Sequence, residues 1–147
     1  LKGRFLFKSV REANERRLAY YLSDPVGFFE TLKAEILKTK ITHLRVNGIG
    51  DTPDKRFVEL LVKLAGELPN VRFWVATRKV LFWDRVMLPD TITVRYSHGI
   101  KGTCTSSVTT DPEAATCPCT KGGVKDCFAC GLKCWDRSVK HVSYLEH

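Results

Sequence analysis

Three short strand-like runs, separated by segments of helical periodicity, constrain this chain more than any other feature. Residues 41–47, 71–76 and 91–97 are bounded by turn residues and alternate apolar with polar side chains. Between the first two, Phe57, Leu60, Leu61, Leu64 and Leu68 recur at helical spacing behind Pro53, and Pro69-Asn70 ends the run. A short segment of helical character, 80–86, separates the second strand from the third. Upstream, residues 9–23 read as a helix. Asp24-Pro25 then restarts the chain as N-cap and first helical residue of another, which runs to about Lys40. Asp51 or Thr52 is placed to cap the helix that begins with Pro53. Strands joined by helical crossovers pair in parallel, because a parallel neighbour needs a long return path. The expected fold class is α/β: parallel strands with helical crossovers, an open sheet or part of a (β/α) barrel, too few strands for a full eight.

The faces of these strands differ in chemistry. Leu44 and Val46 share one face of the first strand, with His43, Arg45 and Asn47 opposite. Ile92, Val94 and Tyr96 alternate with Thr93, Arg95 and Ser97. Val71, Phe73 and Val75 alternate with Arg72, Trp74 and Ala76. Helices cover the apolar face. The other face then carries Arg45, Asn47, Arg95 and Ser97 side by side, and a buried arginine needs a partner. A small ligand or substrate with carboxylate or phosphate groups is one partner, and in parallel α/β proteins ligands sit at the C-terminal strand ends. Asp51, Thr77, Arg78 and His98 lie there. The competing reading is an open face that meets solvent or another segment of chain. Gly48-Ile49-Gly50 lacks the third glycine of a dinucleotide fingerprint and serves as a turn.

After His98-Gly99 the chain reads mostly as loop, with a last strand at 142–145. All six cysteines fall here: Cys104, Cys117, Cys119, Cys127, Cys130 and Cys134. The chain divides into an α/β domain, 1–103, and a cysteine-rich region, 104–147, packed on it. Cys127, Cys130 and Cys134 cannot complete a four-ligand site, so Cys104, Cys117 or Cys119 must contribute. A 4Fe-4S iron–sulfur cluster takes one thiolate per iron and tolerates irregular loop spacing. Zinc favours two pairs, such as Cys117/Cys119 with Cys127/Cys130. Gly131 permits close approach, and Phe128 and Trp135 are placed to shield a centre. His98, His141 and His147 are spare ligands. A disulfide framework and free thiols are the alternatives.

The chain's net charge of +8 arises outside that region: residues 1–103 hold nineteen Lys/Arg against eleven Asp/Glu, whereas 104–147 hold five of each. A basic body suits a polyanion, so nucleic acid is a second partner class. No apolar run reaches membrane-spanning length and no signal-peptide pattern is present, which predicts a cytoplasmic protein without a membrane partner. The first residue is Leu1, as expected of a processed, trimmed or partial chain.

Several stretches together resemble the phage gene product 88 family. They are Gly3-Arg4-Phe5 before a basic helix; Leu44-Arg45-Val46-Asn47-Gly48-Ile49-Gly50-Asp51; Leu68 through Thr77-Arg78; and Cys127-x2-Cys130-Gly131 with Cys134-Trp135. The resemblance implies a phage or prokaryotic-host protein with a radical-SAM-like character, in which the C-terminal cluster is auxiliary or structural. It also implies a cysteine motif upstream of Gly3, which these residues do not include, and S-adenosylmethionine as cofactor only where that motif exists. The family usually has His at the position of Asn47 and Ser at that of Ile49.

Overall fold

A computed structural model describes residues 7–48, 50–97, 104–131 and 133–146. Its centre is a five-stranded, all-parallel sheet whose strands lie in chain order, β1-β2-β3-β4-β5, curled as half a barrel. The strands are β1 (His43–Val46), β2 (Arg72–Thr77), β3 (Ile92–Ser97), β4 (Thr105–Thr109) and β5 (His141–Leu145). Four helices precede or link the first three: α1 (Lys8–Ser23), α2 (Pro25–Thr39), α3 (Lys55–Glu67) and α4 (Val80–Trp83). The expected α/β class and partial barrel are what the structure shows. Gly3-Arg4-Phe5, Ile49, His98 and His147 lie outside the described residues.

Local chemistry sets the helix boundaries. Asp24 caps α2 by accepting from the Gly27 amide at 2.9 Å, and Pro25 opens it. Lys40 closes it in the left-handed conformation, φ 55°. The cap of α3 differs from expectation. It is Asp54, whose Oδ1 accepts from the Phe57 amide at 2.8 Å and from the Tyr21 hydroxyl at 2.6 Å. One carboxylate thus caps α3 and ties α1 to it. Asp51 and Thr52, relieved of the capping role, act elsewhere.

The helices bury the apolar face of the sheet. Phe73, Val75 and Ile92 meet Leu61 there, each with 0% exposure. A fully buried side chain of this size contributes about 1.5–3 kcal/mol. Tyr21, Phe28, Phe29 and Phe57 extend the core with edge-to-face ring contacts between α1, α2 and α3.

Strand β4 is the element sequence reasoning misses. Thr-Ser-Ser-Val-Thr has little hydrophobic signal. It forms because its backbone has partners on both sides: Tyr96 and Ser97 on β3, and all five β5 residues. Only the last two residues of β3 pair with the first two of β4, a stagger of the kind barrel-like curling requires. The segment from β4 to β5, residues 110–140, takes the place of a crossover helix and holds five of the six cysteines.

Candidate metal centre and strand-end pocket

The cysteine-rich crossover lies on the sheet face opposite the helices. Alternation along the strands delivers Trp74 and Arg95 to this inner face. Trp135, in a 3-10 turn at Lys133–Trp135, packs edge-on against Trp74 with ring centroids 5.2 Å apart. Thr93 Oγ1 donates to the Trp135 carbonyl at 2.7 Å.

Arg95 is the principal fastening. It is fully buried, at 0% exposure. Its guanidinium donates to the carbonyls of Lys133 (2.7 Å), Cys134 (2.8 Å), Val139 (2.9 Å) and Asp136 (2.9 Å). The arginine expected to hold an anionic ligand therefore holds its own chain. Each charge-assisted bond of this kind contributes about 1.5–3 kcal/mol. Arg137 fastens the same segment at the other end of β3, donating to the Ile92 and Pro89 carbonyls and pairing with Asp90 at 3.0 Å.

All six cysteines are free. Cys117 and Cys134 are buried, packed with Trp74, Trp135 and Val142; Cys119 and Cys127 adjoin them half-buried. Cys119 interacts directly with Cys130 and Cys127, and burial, the Cys130 bond and the neighbouring sulfurs push its thiol up to about 12. Burial, chiefly, raises Cys127, while the nearby Arg45 charge opposes the rise. Cys134 is raised mainly by burial, opposed by its 3.2 Å contact with the Tyr144 hydroxyl; Cys117 and Cys127 lie within its electrostatic reach. Five thiols from three stretches of one crossover are thus electrostatic neighbours.

Cys104 stands elsewhere. It precedes β4 and its Sγ contacts the Arg137 carbonyl at 3.6 Å. His141 is held through both ring nitrogens, by Thr105 Oγ1 at 2.7 Å and Ser107 Oγ at 3.1 Å. Phe128 is largely exposed with its ring against His43, whereas Trp74 and Trp135 pack against the buried cysteines.

Among the described residues, no three His, Cys, Asp or Glu side chains stand as a ready-made cage for a metal ion. The Sγ atoms of Cys119 and Cys130 are turned onto carbonyls, of Asp126 and Cys127, each at 3.1 Å. A metal would replace those bonds. The donor set itself is all sulfur, which fits zinc or an iron–sulfur cluster better than a hard cation.

A pocket of about 470 Å³ opens at the C-terminal ends of β1, β2 and β3. Arg45, Asn47, Asp51, Thr77, Arg78 and Ser97 line it together with Gly48 and Gly50. Of the described residues expected there, Arg95 alone is drawn away. Asp51 joins the loop after β1 to the end of β2: Oδ1 accepts from the Thr52 amide and the Thr77 hydroxyl, Oδ2 from the Arg78 amide at 2.8 Å. Asn47, in the left-handed conformation at φ 57°, donates to Thr52 Oγ1 at 3.1 Å. Trp83 Nε1 donates to the same hydroxyl at 3.2 Å. Buried Thr52 is therefore a hub of the pocket wall rather than a helix cap.

The two regions meet at Arg45. Its guanidinium lies over the Trp74 ring, 4.6 Å from the centroid, lines the pocket, and is within electrostatic reach of Cys127. Trp74 and Tyr144, stacked with centroids 6.1 Å apart, are the site residues that sequence reasoning did not single out. Their signal was present as aromatic residues alternating in step with small or apolar neighbours, Ala76 beside Trp74 and Val142 beside Tyr144.

The sequence profile of the family described as gene product 88 matches residues 1–103. The chain belongs to the gene product 88 family. The match covers the helices and strands β1 to β3 and ends just before Cys104, so the cysteine-rich crossover lies beyond it. No curated protein and no solved structure matches the chain. No helix among the described residues is long and apolar enough to cross a membrane.

Proposed function

We propose that this member of the gene product 88 family binds an iron–sulfur cluster through the crossover cysteines. The observation that carries the reading is the convergence of Cys117, Cys119, Cys127, Cys130 and Cys134 on one side of the sheet. A cubane takes four thiolates, one per iron, and Trp74 and Trp135 supply the apolar shielding that governs solvent access to such a centre. The role assigned to it is auxiliary or structural: it pins the crossover against the half-barrel beside the pocket. The S-adenosylmethionine chemistry implied by the family resemblance rests on a cysteine motif upstream of Gly3. The proposal therefore assigns this chain a centre and a pocket, not a reaction.

One observation favours zinc as a second reading. Cys119 interacts with both Cys127 and Cys130, which brings the Cys117/Cys119 pair onto the Cys127/Cys130 pair as a tetrahedral ion would need.

Anaerobic purification followed by iron, acid-labile sulfide and zinc analysis, with a visible absorbance spectrum, decides between them. Iron and sulfide in equal amounts, lost in Cys127→Ser and kept in Cys104→Ser, are the expected result. Stoichiometric zinc without iron selects the second reading. Neither metal, with six titratable free thiols, overturns both.

A further inference from the structure

We infer that the strand-end pocket is a binding site for a small oxyanion, a ligand that presents a phosphate or carboxylate group to Arg45 and Arg78. The inference does not depend on whether the thiols hold metal. Its first support is how the arginines of this region are used. Arg95 and Arg137 are spent on backbone carbonyls. Arg45 and Arg78 line the pocket, and among the described residues neither guanidinium forms an ion pair or donates a side-chain hydrogen bond to the protein. The Arg45 guanidinium stands over the Trp74 ring, 4.6 Å from its centroid, a cation–π contact that holds the charge at the pocket while leaving its N–H groups for a ligand. A planar fork of this kind matches an oxyanion with two parallel bonds.

The pocket's one carboxylate does not compete for these cations. Both oxygens of Asp51 are occupied by Thr52, Thr77 and the Arg78 amide. Asp51 therefore builds the wall, and the excess charge facing the pocket is positive. The volume, about 470 Å³, lies within the range of small-molecule sites, about 300–1,000 Å³.

Gly48 offers a means of testing the site. No heavy atom stands within 4 Å of where its Cβ would sit, and its backbone is outside the left-handed region. Neither packing nor backbone conformation demands glycine. Gly48 lines the pocket, so a large side chain introduced there is a way to obstruct it.

Calorimetric titration of the full chain with sodium pyrophosphate, and separately with sodium citrate, tests the site and distinguishes its two chemical sources. Saturable binding of at least one anion is expected. Arg78→Gln and Arg45→Gln each weaken it on the order of tenfold or more, the loss of a charge-assisted hydrogen bond. Gly48→Leu abolishes it, and Lys63→Gln, a basic residue on α3 away from the pocket, leaves it unchanged. Preference for pyrophosphate identifies a phosphate ligand and preference for citrate a carboxylate. Arg78 is exposed, so its substitution tests binding even where Gly48→Leu fails to fold. Thermal unfolding of Arg78→Gln at the parent midpoint shows that lost binding is not lost fold. Absence of binding by both anions, binding unaffected by Arg78→Gln, or equal weakening by Lys63→Gln overturns the inference.

Discussion

On the outer face of the sheet, Phe73, Val75 and Ile92 meet the leucines of α3. On the inner face, Trp74, Thr93 and Arg95, one residue along, meet the backbone of an irregular crossover. The first contact is apolar, non-directional and anticipated by periodicity. The second is directional: a buried guanidinium on four carbonyls, a threonine on a fifth and two tryptophans edge to face. A helix satisfies its own backbone, so it needs only an apolar stripe to dock. An irregular segment carries unsatisfied carbonyls onto the sheet and needs donors there. That requirement explains why strands of a parallel sheet, ordinarily apolar on both faces, carry arginine and threonine on one.

The largest expected effect tests the directional half of this contrast. Arg95→Met removes four hydrogen bonds and leaves one buried and three partly buried carbonyls without this donor. It should cost about 4 kcal/mol or more in urea denaturation, since each unsatisfied buried acceptor costs about 1–3 kcal/mol. A loss below about 1 kcal/mol would show that aromatic packing, not Arg95, holds the crossover. Leu61→Ala probes the other face. It should cost about 3 kcal/mol through the cavity it opens, with metal content per folded chain unchanged. Metal loss in that variant would mean that the two faces are not independent.

Asp51→Ala comes next, at about 1–2 kcal/mol. It releases the loop after β1 from Thr77 and Arg78, and should weaken anion binding at the pocket even though the substitution removes a negative charge. Tighter binding would recast Asp51 as an electrostatic competitor rather than a wall. The smallest effect is pH-dependent and belongs to the inner face. In metal-free protein Cys119 holds its proton to about 12, against an ordinary thiol value of 9.0. Above pH 9 the unfolded chain releases this proton while the folded chain keeps it, so stability should fall as pH rises from about 9 toward 12. Cys119→Ser should flatten that decline, and an unchanged slope would assign it to other groups.

Much of the architecture was legible in the sequence. Helical stripes, the Asp24-Pro25 start and three alternating strands were sufficient for a parallel α/β half-barrel, because each signal is local and agrees with its neighbours. The pocket was legible in part. Arg45 and Thr77 lie at the C-terminal ends of their strands, and Asn47, Asp51 and Arg78 just beyond, a placement that any parallel sheet brings together. The cysteines marked their own chemistry through residue type alone.

What tertiary structure alone decided was how polar groups are partnered. Arg45 and Arg95 occupy equivalent faces of their strands and look alike in sequence, yet one faces the pocket and the other is consumed by backbone. Asp51 and Thr52 were the expected caps of α3; its start at Lys55 gave that role to Asp54 and left Asp51 to join two strands. β4 existed only because unpaired strand edges on both sides supplied its hydrogen bonds. Hydrogen bonds between residues distant in sequence leave no periodic trace. Periodicity marks which face of an element is apolar, whereas the partner of a buried polar group is chosen only once the chain has closed on itself.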